Sequence, residues 1–174
     1  MKQQDVIDLL RRFQASGVSY WVDGGWGVDA LLGEQTRDHS DLDLVVHRAH
    51  LPQARRVLQQ LGFAVLRDWL PNAIALQDAA GREVDLHPVD PTADGGGDQI
   101  QLDGTTRWHY SPPVAGVIGG QAVHCCPVAD QLLCHLGYEP RQSDYADMRL
   151  LAEHFGVRLP PPYDDDDDKP VANG

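Results

Sequence analysis

Cysteine is scarce in this sequence of 174 residues, which contains only Cys125, Cys126 and Cys134. Two of the three are adjacent and no CxxC spacing occurs, so the pattern favours neither a disulfide framework nor a zinc site. Free thiols are typical of a reducing compartment, and we therefore predict reduced cysteines and a cytoplasmic location.

Long apolar runs are also missing from the sequence. No stretch approaches the roughly 18 to 20 apolar residues that a membrane-spanning helix needs. The first residues, MKQQDVIDLLRRF, include acidic side chains and no apolar signal core. The sequence therefore predicts neither a membrane partner nor a secreted protein.

Basic residues are outnumbered, because 14 Lys and Arg stand against 26 Asp and Glu, for a formal net charge of −12. Nonspecific nucleic-acid binding needs positive surface to neutralise phosphates, so this balance argues against a nucleic-acid partner. An acidic protein suits a cationic small molecule better.

The apolar pattern changes between helical and strand periods along the chain. Residues 6–13 carry the i, i+3, i+4, i+7 stripe of an amphipathic helix, and residues 42–46 alternate as a strand does. The order of elements indicates an α+β fold with a mixed sheet flanked by helices and a short helical C-terminal part. We predict a main domain at residues 1–125, a helical part packed on it at 126–159, and a disordered tail at 160–174.

Turn residues predict two hairpins and one long loop in the second half of the main domain. A turn at 79–82 separates strand-like runs, and Gly119-Gly120 separates two others. Residues 88–113 are rich in Gly, Asp and Pro, and we interpret them as a functional loop with a short strand at most.

Gly24-Gly25 stands between a predicted strand and a predicted helix. Glycines at such a place let the backbone approach a ligand closely and aim its N–H groups at an anion. The same pair also makes an ordinary turn, so this feature alone leaves both interpretations open.

Asp41 and Asp43 occupy positions i and i+2 of a predicted strand and therefore point to the same face. Two neighbouring carboxylates repel each other, and a divalent cation relieves that repulsion. Magnesium prefers such hard oxygen ligands together with substrate phosphates. The alternative is a solvent-facing strand, against which the apolar run from Leu42 to Val46 indicates an internal one.

Asp85 is the centre of a later strand in which Glu83 and His87 share its face. If this strand lies beside that of Asp41 and Asp43, Asp85 becomes the third carboxylate of a metal site. Such a group also accepts a proton from an attacking hydroxyl. A packed or solvated strand histidine explains His87 equally well.

Further candidates lie in the segments between these motifs. Arg37 and His39 precede the paired acids, and a guanidinium binds phosphate oxygens through paired donors, although a surface arginine without a role explains Arg37 nearly as well. Trp108 and Tyr110 are candidates for the wall of a substrate pocket, but aromatic side chains also serve as core residues.

The combination of these motifs resembles the DNA polymerase β-like nucleotidyltransferase superfamily. The run YWVDGGWGVDALLGEQTRDHSDLDL is similar to the active-site segment of aminoglycoside 2″-nucleotidyltransferases and more similar still to lincosamide nucleotidyltransferases of type A. For the lincosamide enzymes the likeness extends to VDLHPVDPTADG and to VADQLLCHLGYEPRQSDYADMRLL. Many superfamily members have a serine at or after the glycine pair, where this chain has Trp26.

The resemblance implies a role for each candidate residue. It implies metal and catalytic roles for Asp41, Asp43 and Asp85, nucleotide contacts for Gly24, Gly25, Arg37 and His39, and substrate contacts for Glu83, His87, Trp108 and Tyr110. The cofactor would be magnesium, two ions held by the carboxylates, with ATP or another NTP as co-substrate. The resemblance also implies a homodimer.

The implied activity is transfer of a nucleoside monophosphate, AMP above all, to a hydroxyl of a lincosamide antibiotic, with release of pyrophosphate and inactivation of the drug. An aminoglycoside acceptor is the nearest alternative, and a toxin-type enzyme that modifies RNA or protein is a more distant one. A nucleotide-binding protein without catalysis is an alternative of another class.

Overall fold

The computed structural model describes residues 1–136 and 138–164, and the chain divides into two compact units, Met1–Gln131 and Leu132–Gly174. The helices are α1 (Gln3–Ala15), α2 (Gly24–Leu32), α3 (Leu51–Gln60), α4 (Val128–Cys134) and α5 (Gln142–Phe155). The strands are β1 (Tyr20–Asp23), β2 (Asp41–His47), β3 (Ala64–Trp69), β4 (Ala73–Gln77), β5 (Glu83–Pro91), β6 (Gly97–Ile100), β7 (Arg107–Tyr110), β8 (Val114–Ile118) and β9 (Gln121–Cys125). None of the described helices combines the length and hydropathy that crossing a membrane requires.

The strands of the first unit form one mixed sheet. Its order is β3-β4-β5-β2-β1-β9-β8, and β6 pairs with β5 and with β7 beside this path. Strand β2 is parallel to β5 and β1 is parallel to β9, whereas the other pairings are antiparallel. The predicted α+β class with a mixed sheet is therefore confirmed.

The apolar core covers one face of this sheet. Strand β2 buries Leu42 and Leu44 completely, while Asp41 and Asp43 between them are only half-buried. The buried cluster combines the strand residues with the apolar stripes of α1 and α3, as the helical spacing of those stripes predicts. The same alternation that fills the core on one face therefore leaves the acidic side chains on the other.

The segment at residues 88–113 differs from the predicted loop. Strand β5 continues to Pro91 and pairs with β6, where Val89 stands opposite Gln99. Strands β6 and β7 form a hairpin in which Gln99 stands opposite Trp108. The hairpin is rich in glycine and aspartate and lacks the apolar alternation from which strands are predicted. Its strands form through pairing with neighbouring strands, which outweighs their low intrinsic β-propensity. The two other predicted hairpins, β4–β5 and β8–β9, are confirmed.

The longest helix of the second unit is α5. The backbone N–H of Arg141 donates to the Asp144 carboxylate at 2.8 Å before the helix begins. The Tyr163 hydroxyl donates to the His135 carbonyl at 2.8 Å, so residues 160–164 have a defined turn. The remainder of the predicted tail, residues 165–174, lies outside the described residues, and the division at 125 and 159 stays a prediction.

The core position of Leu86 gives a test of this architecture. Leu86 is fully buried at the centre of β5, so Leu86→Ala should lower the free energy of unfolding by about 2–5 kcal/mol. Leu102 is 67% exposed, and Leu102→Ala should leave stability almost unchanged. Urea denaturation of both variants measures the difference, and equal effects would contradict the assignment of the core.

Candidate active site

The turn from β1 into α2 has glycines because other site residues lie against it. Gly24 has φ +58°, and a Cβ there would overlap the Asp43 carboxylate. A Cβ on Gly25 would overlap the His39 ring and lie 2.8 Å from Nη2 of Arg37. The predicted glycines, basic residues and Asp43 are therefore brought together at the N-terminus of α2, where helical N–H groups favour an anion.

Three aspartates lie side by side across the centre of the sheet. The register pairs Asp23 of β1 with Asp43 of β2, and Asp43 with Asp85 of β5. Asp41 stands opposite Glu83 in the same pair of strands. The sequence hypothesis that the two acidic strands are neighbours is therefore correct, and the structure adds Asp23 as a fourth carboxylate.

The close approach of these carboxylates shifts their ionisation. Burial, followed by the charge of Asp43, raises the pKa of Asp85 to about 6. Burial also raises the pKa of Asp23, and Asp43 adds to that rise. Each has one buried oxygen without a hydrogen-bond partner among the described residues, Oδ1 of Asp23 and Oδ1 of Asp85. The site thus concentrates several carboxylates whose charges oppose one another.

These features fit a divalent cation, because the donors are hard oxygens and the unpartnered Oδ1 of Asp85 lies next to Asp43 in register. Within the described parts of the chain, no three His, Cys, Asp or Glu side chains already have the arrangement of a metal site. Asp85 Oδ2 lies 3.7 Å from Nη2 of Arg67. The backbone thus brings the ligands together, while the side-chain positions are not those of a bound ion.

His87 connects the acidic centre to the β6–β7 hairpin. Its Nε2 lies 3.3 Å from Oδ1 of Asp43, and its Nδ1 lies 3.3 Å from Nε2 of Gln99. Burial lowers the pKa of His87, but the hydrogen bond and charge of Asp43 outweigh it, so the net shift is upward. Buried Gln99 also donates to the Asn72 carbonyl at 2.8 Å, which fixes its amide beside the His87 ring.

His39 is held by a buried carboxylate beneath the glycine turn. Its Nε2 contacts Asp29, and its ring lies 4.6 Å from the Trp26 ring, centroid to centroid. Asp29 also accepts hydrogen bonds from the Thr36 backbone and hydroxyl at 3.1 and 2.6 Å. His39 is only 4% exposed, and its Nδ1 edge faces Gly25.

On the other side of the aspartates, β3 and β5 are joined by an ion pair. The Arg67 guanidinium contacts Glu83 directly and lies 5.2 Å from the centroid of the Trp69 ring. Gln77 donates to the second oxygen of Glu83 at 3.4 Å. Glu83, for which substrate contact was predicted, is paired with a cation, and its contact with substrate stays a prediction.

Trp108 and Tyr110 lie on β7, two strands away from β5. Their rings are 6.5 Å apart, centroid to centroid, at an angle of 76°. Tyr110 is buried and Trp108 is half-buried. Of the hairpin side chains, Gln99 is the one that the structure brings to His87, and substrate contacts of the two aromatic residues stay a prediction.

Sequence reasoning missed Asp23, Asp29, Arg67 and Gln99 as parts of the site. The run DGGWGVD contains the first two, and an acidic residue inside an apolar helix is the signal that could have drawn attention to Asp29. Arg67 and Gln99 carry no local signal, because their partners are distant in sequence.

Comparison with models of protein families identifies the family of this chain. Residues 5–151 match the family model of aminoglycoside-2″-adenylyltransferase. The chain belongs to this family. It is therefore a nucleotidyltransferase, and the enzyme class predicted from the motifs is confirmed.

Individual relatives extend the comparison. The chain is 28% identical to a lincosamide resistance protein of Staphylococcus haemolyticus, over 86% of this chain and 93% of that one. A lincomycin-bound lincosamide antibiotic adenylyltransferase shares its fold with TM-score 0.78 and 27% identity, over 87% and 96% of the two chains. ANT(2″)-Ia in complex with adenylyl-2″-tobramycin, at 19% identity, has TM-score 0.69 over 88% and 89% and shows the fold alone. The predicted nucleotidyltransferase fold and likeness to lincosamide enzymes are confirmed.

The contact between Gly25 and the basic side chains yields a test of the nucleotide site. Gly25 lacks a positive φ, so the backbone itself tolerates Gly25→Ala, while displacement of the buried His39 ring should lower the free energy of unfolding by about 1–3 kcal/mol. The added Cβ displaces Arg37 and His39, and a shift of this size should lower kcat/KM for the nucleotide by about 10²-fold. An unchanged KM and kcat would contradict the role of this turn.

The acidic centre yields a second test. Asp41→Asn and Asp43→Asn should each remove nearly all nucleotide transfer while unfolding behaviour stays close to that of the parent chain, because a charge that opposes its neighbours is lost. Asp8→Asn on α1, where the side chain is 60% exposed, is the control and should be fully active. Full activity in either site variant would exclude that residue from the reaction.

Proposed function

We propose that the chain catalyses magnesium-dependent transfer of AMP from ATP to a hydroxyl of a lincosamide antibiotic, releasing pyrophosphate and inactivating the drug. The observation that carries this proposal is the register that sets Asp43 beside Asp85 in parallel strands, next to the Gly24-Gly25 turn. This arrangement combines an acidic centre with an anion-binding helix terminus on one side of it.

The nucleotide would bind on the α2 side. Backbone N–H groups of the first turn of α2 donate to phosphate oxygens, and Gly25 lets them approach without a side chain. Arg37 would add paired donors, and its guanidinium already lies close to Gly25. His39 is held in place by Asp29 and so loses little freedom when phosphate binds.

Asp41, Asp43 and Asp85 would hold magnesium, which when bound neutralises phosphate charge during an in-line displacement at phosphorus. The unpartnered Oδ1 of Asp85 and the position of Asp43 against Gly24 support this assignment. His87 would orient Asp43, because its Nε2 lies within reach of Oδ1 and leaves Oδ2 toward the glycine turn.

In the proposed reaction the acceptor hydroxyl oxygen forms a bond to the α-phosphorus. The bond from that phosphorus to the bridging oxygen of the β-phosphate breaks, and pyrophosphate leaves with the electron pair. Asp85 accepts the hydroxyl proton and passes it to water. Its position next to Asp43 in the parallel register supports this role, because a general base must lie within hydrogen-bond reach of the proton that it accepts.

The lincosamide acceptor rests on similarity across nearly whole chains. The lincosamide resistance protein matches 86% of this chain, and the lincomycin-bound structure has TM-score 0.78. An aminoglycoside acceptor is the second candidate, and the name of the matching family favours it. A 2″-aminoglycoside nucleotidyltransferase of Escherichia coli is 35% identical, but only over 60 residues.

The remaining alternatives have less support. The net charge of −12 opposes an RNA acceptor, and the presence of all three carboxylates opposes a catalytically inactive protein. Dependence on ATP supports the proposed cytoplasmic location. The homodimer implied by resemblance stays a prediction, which analytical ultracentrifugation tests.

Incubation with antibiotics tests the proposal directly. With ATP and magnesium, lincomycin should gain the mass of an adenylyl group and pyrophosphate should appear, and EDTA should abolish both. Tobramycin, offered alone at the same concentration, should be modified far more slowly. Modification of tobramycin with lincomycin untouched would replace the acceptor assignment, and transfer to neither would contradict the proposed function as a whole.

A further inference from the structure

The direction of the displacement assigns a side of the site to the acceptor. The glycine turn, Arg37 and His39 lie together on one side of Asp43, so the pyrophosphate would leave toward them. An attacking hydroxyl must then arrive from the opposite direction, along the line through the phosphorus. That direction is the face of β5, β4 and β3, where Asp85 and Glu83 stand.

Arg67 reaches this face across a small residue. The register pairs Arg67 with Ala75 of β4, and Ala75 with Asp85 of β5, so the three share one face of the sheet. Alanine between them leaves room for the long guanidinium side chain to extend over β4. Arg67 therefore contacts Glu83 and lies 3.7 Å from Asp85, although both belong to a strand that is not its neighbour.

The contacts of Arg67 are costly for a purely structural side chain. Its Nε is buried and has no hydrogen-bond partner among the described residues. Leaving a buried donor unsatisfied costs on the order of 1–3 kcal/mol. An apolar side chain over Ala75 would avoid that cost. Packing of the strands alone therefore does not account for a charged residue at position 67.

We propose that Arg67 determines acceptor specificity by neutralising Glu83 and so excluding polycationic acceptors from the face of β3, β4 and β5. This inference rests on the proposed function, because it concerns which antibiotic the same site accepts. With the pair intact, the acceptor face beside the aspartates has no unpaired Glu83 carboxylate to offer an ammonium group.

The two acceptor classes differ in the property that this pair controls. Tobramycin carries several ammonium groups, and recognising them requires several free carboxylates, whereas lincomycin carries one protonated amine. Arg67 forms an ion pair with the Glu83 carboxylate, and its positive charge repels an incoming polycation. The Trp69 ring beside the guanidinium adds apolar surface, which suits the less charged acceptor.

Removing the positive charge tests this mechanism. Arg67→Gln releases the Glu83 carboxylate, and the equilibrium affinity for tobramycin, measured by calorimetry on the protein with ATP omitted, should rise at least about tenfold. The ratio of kcat/KM for tobramycin to that for lincomycin should rise in parallel. Salt at about 0.5 M should diminish the gain, because the effect is electrostatic.

Two matched variants separate charge from shape. Arg67→Gln combined with Glu83→Gln restores neutrality and should return the affinity for tobramycin to within about twofold of the parent chain. Arg67→Lys keeps the positive charge and should keep the parent selectivity. A steric role for Arg67 would instead make the single and double glutamine variants alike, and this result would overturn the proposal.

The readouts distinguish this inference from the proposed function. Unmodified lincomycin with the parent chain would contradict the proposed function, while the affinity of tobramycin for the variants would still report on Arg67. Thermal unfolding of each variant verifies that the sheet edge is intact. An unchanged tobramycin affinity in a folded Arg67→Gln chain would refute the role of Arg67 in specificity.

Discussion

Repulsion between carboxylates in the centre of the sheet is the constraint on which the site depends. The parallel register of β2 and β5 holds Asp43 beside Asp85, and the antiparallel register of β1 adds Asp23. The apolar residues on the opposite face, such as Leu42 and Leu86, are fully buried and lock that register, because a slip of one residue would expose them. Burial on one face thus holds a concentration of negative charge on the other, and hard carboxylate oxygens of this kind favour a divalent cation.

Much of this centre could be predicted because its signals are local. The alternation in residues 41–46 and 83–87 gives both the buried face and the acidic face of each strand, since a period of two is enough to sort them. The hairpin of β6 and β7 could not be predicted, because the segment GGGDQ has no such alternation and becomes a strand only by pairing with β5. The contact of Gln99 with His87 depends on that pairing and was missed with it.

The two sides of the aspartates are built differently, and this difference gives the site a direction. On the α2 side, buried Asp29 organises Thr36 and His39 through local contacts within ten residues, so the segment is prearranged before any ligand binds. On the β3 side, the ion pair between Arg67 and Glu83 spans two strand spacings and is partly exposed. If the proposed roles of the two sides are correct, a fixed nucleotide side and a more adjustable acceptor side would suit a reaction in which the nucleotide is constant and the acceptor varies.

This division also explains why likeness to both lincosamide and aminoglycoside enzymes is compatible with one fold. The residues that set the register lie in β1, β2 and β5, whereas Arg67 and Trp69 lie on β3, the terminal strand of the sheet order. A substitution at these two positions changes the charge that meets an acceptor and leaves the apolar core unchanged, because neither residue belongs to the buried cluster. Acceptor specificity could therefore vary on the edge strand while the register of the central strands stays fixed. We infer the acceptor from the charges near Arg67, since the role proposed for the central carboxylates is the same for either class of acceptor.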